Sequence, residues 1–462
     1  MPSKGLYTLP IAARPPHPTP LRNRLLFFPI FSSGIFLIFG VQAFFIPIGI
    51  ANRIWKGIRR LAGVDTDEQG WLERLYEWSV KRTKQMFGML LILVTVLFAP
   101  TTITLTSDAS LPLEKILVPP RDLQRGLTYL RLPTDLVIMS NHQAYLDWIY
   151  IWIVGHLSLT PQESGSIGKA EEYHHGSRSL IILLKRSLKW VPILGWGMQF
   201  YRFIFLARSW ALDRDNLSTA LKDLAARARR GAGLWLLIFP EGTITSDNER
   251  AKSLRYAQKE HVRDFVNLLH PRSTGLIFIL RTLVPQIPNL RLLDITIGYP
   301  GVTRGGYAQE WYGLISVFMK GIPPPTIHMH LRLVDLHNDA IPGVREDVEV
   351  GDRKNSEDQE RRVSPLSDTT PLIGQRNQGE RITAGPRHPE PIPGVAPEAQ
   401  VREFNLWLRR RWDDKEALLD RFISTGGFAV PPRGEDGSAV EDEVERRGLM
   451  RGQATVIPLG LW

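Results

Sequence analysis

The sequence predicts an α/β fold: a mixed sheet flanked by helices, behind an N-terminal membrane-embedded helical part. Three observations lead there. From about Thr101 to Leu336, short β-branched or apolar runs alternate with helical stretches, the pattern of a sheet covered by helices. The stretch Leu25 to Ile50 carries no charge and is longer than the roughly twenty residues that span a hydrocarbon core. With 43% apolar and 23% charged residues, the chain can bury a large core.

Residues 1–24 contain Pro15-Pro16-His17-Pro18 and little that could pack, so they read as a disordered head. Residues 25–100 read as membrane-anchoring helices, with a transmembrane segment at about 27–50. That stretch is too long for the apolar part of a signal peptide and has no cleavage site behind it. Arg22 and Arg24 flank it on one side and Arg53, Lys56, Arg59 and Arg60 on the other, so charge asymmetry sets no orientation. A second apolar segment at about 86–99 is shorter than a span and stops at Pro100; runs of that length are interfacial, re-entrant or buried. Between the two, Trp71, Leu72, Leu75 and Trp78 recur at helical spacing beside basic residues. Such a helix suits the headgroup layer, and equally suits the surface of a soluble core.

Residues 101–344 form the main domain. Its expected strands are 102–106, 135–140, 179–184, 201–207, 234–239, 291–298 and 326–334. The clearest helix is 216–230, with Leu217, Leu221, Leu224 and Ala228 on one stripe and Asn216 as its cap. Residues 345–400 hold no aromatic residue and are dense in charge, Pro, Gly and Gln, so they read as a disordered insertion. Residues 401–430 return as a helix packed on the domain, with Phe404, Leu408, Trp412, Leu419 and Phe422 on one side. Residues 431–462 read as a disordered tail.

There are no cysteines, which excludes disulfides, thiolate metal sites and a cysteine nucleophile. Lys and Arg number 57 against 47 Asp and Glu, a net charge of +10, which suits nucleic acid, a membrane surface or small anions. The cluster Arg227, Arg229 and Arg230 has no interleaved aromatics, so nucleic acid is not expected as a partner. Gly195-Trp196-Gly197 lacks the third glycine of a dinucleotide loop, and neither a phosphate-binding loop nor a serine elbow occurs. His174-His175 and His328-Met329-His330 lack a third ligand, so no metal is expected.

Three strand exits carry chemistry. Asn141-His142-Gln143-Ala144-Tyr145-Leu146-Asp147 follows the strand ending at Ser140, where α/β proteins place ligands. Histidine suits general-base work near neutral pH, and a carboxylate can hold its tautomer. Residues five apart on a regular helix point about 140° apart. The two can therefore meet only if His142 lies in the turn leading into the helix and Asp147 on its first turn. Taken alone, such a pair is more often structural. Phe239-Pro240-Glu241-Gly242-Thr243 ends a buried strand abruptly. It reads as a plain surface turn or as a ligand site in which Glu241 orients a hydroxyl or borders an anion. Phe205-Leu206-Ala207-Arg208 ends another strand in a cation suited to phosphate, though a lone arginine there is more often solvated or salt-bridged.

Together these blocks resemble the glycerophospholipid acyltransferase family of the 1-acylglycerol-3-phosphate type. Its first block, N-H-x-x-x-x-D, matches Asn141, His142 and Asp147; its second matches Phe205 to Arg208; its third, F-P-E-G-T, matches Phe239 to Thr243, roughly one hundred residues after the first. The resemblance is nearest to the lysocardiolipin and lysophosphatidylinositol acyltransferase branch. It extends through Leu184 to Pro192, Gly195-Trp196, His270 to Leu276, Leu293 to Thr296, His328 to His330 and Trp407 to Phe422, and the long insertion is similar to fungal versions. The chain departs from the pattern at Ala207, where an acidic residue often precedes the arginine, and Val284-Pro285 sits in an odd context for the fourth block.

The resemblance implies a glycerolipid acyltransferase fold and a membrane-bound enzyme moving an acyl group from acyl-CoA, a co-substrate, to a lysophospholipid hydroxyl, with no bound cofactor. His142 and Asp147 would be catalytic. Arg208, Glu241, Gly242, Thr243 and Arg272 would hold the acceptor and its phosphate, with Asn141, Phe239 and Pro240 supporting the motifs. The implied location is the endoplasmic reticulum membrane, with a mitochondrial membrane as the alternative. Lysophosphatidic acid acylation in de novo synthesis, CoA-independent transacylation and an inactive membrane scaffold stay open.

Overall fold

The computed structural model describes residues 4–63, 70–118, 129–161, 173–344, 396–428 and 454–459. Helices α1 (Leu21–Leu61) and α2 (Trp71–Phe98) come first. They are followed by strand β1 (Thr101–Ser107), the turn α3 (Leu113–Ile116) and the short strands β2 (Leu117–Val118) and β3 (Tyr129–Arg131). Next are β4 (Asp135–Ser140), α4 (Asp147–His156), β5 (Ser158–Pro161), β6 (Tyr173–His175) and β7 (Leu180–Lys185). Then come α5 (Leu194–Phe200), β8 (Ile204–Leu206), α6 (Trp210–Arg229), β9 (Leu234–Ile238), α7 (Asp247–Lys259) and α8 (Ser273–Leu283). The domain closes with β10 (Arg291–Gly298), α9 (Ala308–Trp311), β11 (Thr326–Asp335), α10 (Glu398–Thr425) and β12 (Ala454–Leu459).

The main sheet has eight strands in the order β12-β1-β11-β10-β4-β9-β7-β8, and β2-β3-β5-β6 form a small second sheet. The main sheet is mixed: β10, β4, β9, β7 and β8 run parallel, while β11 is antiparallel to β10 and β12 to β1. Parallel sheets are buried on both faces, and β4 and β9 accordingly read as nearly unbroken apolar runs. The five parallel strands deliver their carboxyl ends to one edge. That edge carries His142 after β4, Glu241 after β9, Arg186 after β7, Arg208 after β8 and Tyr299 after β10.

The N-terminal part differs from expectation in three ways. Residues 4–24 pack on the domain rather than forming a free head. Leu6 is buried, and the Arg14 guanidinium donates to Trp311 O at 2.6 Å and Ser316 Oγ at 2.9 Å. Asn23 Nδ2 donates to Phe98 O and Phe318 O. All these partners are distant in sequence, so local composition could not show them. Second, α1 runs through both charged flanks of the apolar stretch. Third, the amphipathic stretch and the second apolar segment are one helix, α2, whose Phe87, Leu91, Val94 and Phe98 are buried in the core. The segment at 86–99 is therefore a core element, with Phe87 packed edge-on against Trp152.

Helix α1 lies along α2 and approaches it closely at two glycines. A Cβ at Gly34 would come within 2.5 Å of the Leu90 side chain, and one at Gly49 within 2.6 Å of Tyr76. Its opposite face is apolar and exposed, with Phe28 68%, Leu37 64% and Phe44 71% accessible. Among the described residues α1 is the one helix long and apolar enough to cross a membrane.

Helix α6 starts at Trp210, six residues before the expected cap Asn216, because the Asp213 carboxylate accepts from Ala207 N–H and Ser209 N–H and winds the chain early. Helix α10 buries Phe404, Leu408, Trp412, Leu419 and Phe422, each contributing about 1.5–3 kcal/mol by burial. Its Lys415 forms a buried ion pair with Asp294 on β10 and donates to Ile295 O. The described chain stops at Val344 and resumes at Ala396. Arg281 on α8 clasps both ends there, donating to Gly343 O and Gln400 Oε1, each at 2.7 Å. The insertion expected at 345–400 otherwise lies outside the described residues. The expected tail is corrected at 454–459, where a β-branched run adds an antiparallel strand to β1 and buries Ile457. Residues 429–453 and 460–462 lie outside the described residues.

Candidate functional site

His142 sits in the turn after β4, and Asp147 is the first residue of α4. His142 Nδ1 lies 2.9 Å from Asp147 Oδ2. That same oxygen accepts from Gln143 N–H at 2.7 Å and Ala144 N–H at 3.0 Å, so the carboxylate folds the turn back on itself. The other oxygen, Oδ1, accepts from Tyr299 O–H at 2.6 Å. A carboxylate surrounded by donors fixes the hydrogen on Nδ1 and leaves Nε2 as the basic nitrogen. The Asp147 side chain is 0% exposed and that of His142 is 16% exposed, so the dyad is anchored at one end and open at the other.

The surrounding residues hold this geometry. The Phe239 ring stacks on the imidazole at 4.1 Å between centroids. Asn141 bridges β4 to β10, donating to Ile297 O at 3.0 Å and accepting from Ile297 N–H at 2.8 Å. Gln143 Nε2 donates to Asn267 O, and the Glu416 carboxylate on α10 accepts from the N–H groups of Val266 and Asn267. Tyr145 N–H donates to Gln309 Oε1 at 2.8 Å.

The third block lies beside the dyad. Pro240 O accepts from Arg272 N–H at 2.8 Å, which ties the block to the start of α8. Gly242 has a positive φ of 72°, and the site of its missing Cβ faces the Arg272 side chain at 3.6 Å. Thr243 is half-buried on the same turn. Arg208 is exposed at the exit of β8 with φ 66°, a left-handed conformation held by the Asp213 clamp on both neighbours. Partial burial and then the nearby Arg272 guanidinium lower its pKa, while Glu249 opposes them. Among the described residues neither guanidinium has an ion pair or hydrogen bond, so two neighbouring cations are exposed on the carboxyl edge, Arg272 against the third block and Arg208 at the exit of β8.

Glu241, expected to contact the acceptor, lies beneath the dyad's turn. It is 2% exposed, and Oε1 accepts from His142 N–H at 3.4 Å. Its carboxyl group fastens the third block under the dyad's turn. Burial, with the Asp147 charge adding, raises its pKa to about 8. The folded protein keeps a proton that the unfolded chain releases near the ordinary value of 4.5. The associated stability is fully present below that pH and is lost as pH rises towards about 8. Glu241→Gln keeps the acceptor for His142 N–H and cannot ionise. The wild-type Tm should therefore fall relative to the variant between those limits, and a constant difference would refute the neutral carboxyl.

Sequence reasoning missed Tyr299. The hydrophobic-proline pair at a strand exit is Tyr299-Pro300, directly behind β10, whereas Val284-Pro285 forms a 3-10 turn after α8. The exit of the expected strand 291–298 was the available signal. Glu416 gave no local signal, since its partners lie about 150 positions away.

Residues 124–297 match the family described as Acyltransferase. The chain carries an Acyltransferase-family domain there. This acyltransferase is 28% identical over 410 residues to the 2-acyl-1-lysophosphatidylinositol acyltransferase of Saccharomyces cerevisiae, covering 82% of this chain and 83% of that one. It is 27% identical over 398 residues to an uncharacterized acyltransferase of Schizosaccharomyces pombe, covering 84% and 87%. Lysocardiolipin acyltransferase 1 of Danio rerio is 31% identical over 236 residues, covering 51% of this chain and 53% of that one. The acyltransferase match covers the dyad, Arg208, the third block and Arg272.

Proposed function

We propose that this acyltransferase moves a fatty acyl group from acyl-CoA to the free hydroxyl of a lysophospholipid at a membrane, the endoplasmic reticulum being the expected one. The observation that carries the reading is the His142–Asp147 dyad, open at His142, on the same carboxyl edge of the sheet as the unpaired Arg208 and Arg272. His142 Nε2 takes the hydroxyl proton as the oxygen attacks the thioester carbonyl. Asp147 offsets the charge that develops on the imidazole. The tetrahedral adduct expels the thiolate, which takes the proton from His142, so no covalent acyl-enzyme forms. Arg208 and Arg272 hold the acceptor phosphate near the base. The names of the Saccharomyces cerevisiae and Danio rerio relatives support a glycerophospholipid acceptor of the lysophosphatidylinositol or lysocardiolipin kind.

The exposed face of α1 supports membrane attachment. The helix is fastened to the domain from Asn23, bonded to Phe318 O, to Lys56, paired with Glu73. If it stood across a bilayer it would draw the domain in with it. This favours α1 lying with its outer face in one leaflet over a simple span.

The test is a purified enzyme assayed on lysophosphatidylinositol, lysocardiolipin and lysophosphatidic acid, each with and without acyl-CoA. Turnover without acyl-CoA would replace the donor by a phospholipid. In the same assay Arg208→Ala should raise the lysophospholipid KM about tenfold, the effect of one lost charge-assisted hydrogen bond, and leave the acyl-CoA KM unchanged. The opposite pattern would move Arg208 to the donor.

A further inference from the structure

A cleft of about 720 Å³ runs along the outer edge of β8, between the facing ends of α1 and α2 and one face of α6. Arg208 and Arg272 do not line it. Its acidic residues are already engaged. Glu73 pairs with Lys56, and Glu77 pairs with both Arg202 and Arg227. Asp213 is held by two backbone N–H groups, and Asp223 lies 4.0 Å from Arg227. Three cations of the lining, Arg53, Arg186 and Lys189, have no acidic partner among the described residues. Lys189 only overlies the Trp190 ring, at 5.6 Å. The cleft therefore presents surplus positive charge to solvent, in a volume typical of a small-molecule site.

We infer that this cleft binds the phosphates of the acyl donor's nucleotide head. The inference rests on the acyl-CoA reading above and adds the place where that donor is held. Both substrates of the proposed reaction carry phosphate, and the enzyme has two sets of unpaired cations: Arg208 and Arg272, at the exit of β8 and the third block, and Arg53, Arg186 and Lys189, which line the cleft. The distance from the dyad to the cleft suits the donor. β4, β9, β7 and β8 are consecutive neighbours in the sheet, so the exit of β4 lies about 14 Å across the strands from β8. An extended pantetheine arm, comparable to a peptide of four to five residues, reaches roughly 15 Å. Arg186 and Lys189 follow β7 on the carboxyl edge that carries His142, so the arm need not cross the sheet.

The double variant Arg186→Ala/Lys189→Ala tests this. Arg186 is exposed and Lys189 half-exposed, and neither side chain bonds within the domain among the described residues, so folding should be unaffected. The KM for acyl-CoA should rise about tenfold or more, the effect of losing charge-assisted contacts. The KM for the acyl thioester of pantetheine, which lacks every phosphate, and the KM for lysophospholipid should stay at wild-type values. Equal rises for both thioesters would overturn the assignment. So would a rise confined to lysophospholipid, or weaker binding to anionic vesicles with an unchanged acyl-CoA KM, and these would give the cleft to a lipid headgroup. A wild-type enzyme inert with acyl-CoA would remove the donor reading itself. A wild-type enzyme that uses acyl-CoA, paired with a double variant of unchanged KM, would remove only the cleft.

Discussion

Replacing His142 with alanine should lower acyl transfer about 10²–10⁴-fold, the usual contribution of a positioned base. Folding should be little affected, because the imidazole is partly exposed and its structural contacts are the Asp147 hydrogen bond and the stack on Phe239. An aromatic stack is worth about 0.5–1.5 kcal/mol, so Tm should fall by no more than a few degrees. The measurement is turnover of purified variant and wild type at saturating acyl-CoA and lysophospholipid, alongside thermal unfolding. Wild-type turnover in a folded His142→Ala enzyme would remove the dyad from the chemistry.

Asp147→Asn should be nearly as damaging to activity while sparing the fold. An asparagine carbonyl in place of Oδ2 can still accept from His142 Nδ1, Gln143 N–H and Ala144 N–H. Its amide would face the Tyr299 hydroxyl, which accepts as well as donates. The geometry and the tautomer survive, and the negative charge opposite the imidazolium is lost. We expect transfer to fall by about 10²–10⁴ with only a small loss of stability. Asp147→Ala is the contrasting case: it strands several buried donors at about 1–3 kcal/mol each and should unfold readily. If Asp147→Asn kept full turnover, the carboxylate would be a structural clamp and nothing more.

These two residues were legible before the fold was known, because the requirement that they meet fixed where the turn and the helix had to be. The strands of the main sheet other than β12 were legible for a related reason. They are apolar or β-branched runs, several of them cut short by Pro, Gly or a charged residue, as at Ile238-Phe239-Pro240. Partnership across the sheet was not legible. Tyr299 reaches Asp147 only because β10 lies beside β4, and strand order is a property of the whole chain. Glu241 was read as a substrate contact because its place at a strand exit is visible and its burial beneath His142's turn is not. The proline-rich head was misjudged likewise: Arg14 and Asn23 are anchored by carbonyls some three hundred positions away. The 86–99 run stayed open between an interfacial, a re-entrant and a buried place, because apolar composition is the same in a bilayer and in a core.

The Arg281 clasp bears on how freely this chain can change length. It holds Gly343 and Gln400 at one point, so the segment between them starts and ends at the same place on the surface. With the two flanks already held together, each doubling of the length of chain between them adds only about 0.6 kcal/mol of closure entropy by the general polymer rule. Lengthening or trimming residues 345–395 should therefore hardly disturb α10, and with it the Glu416 support beneath Gln143.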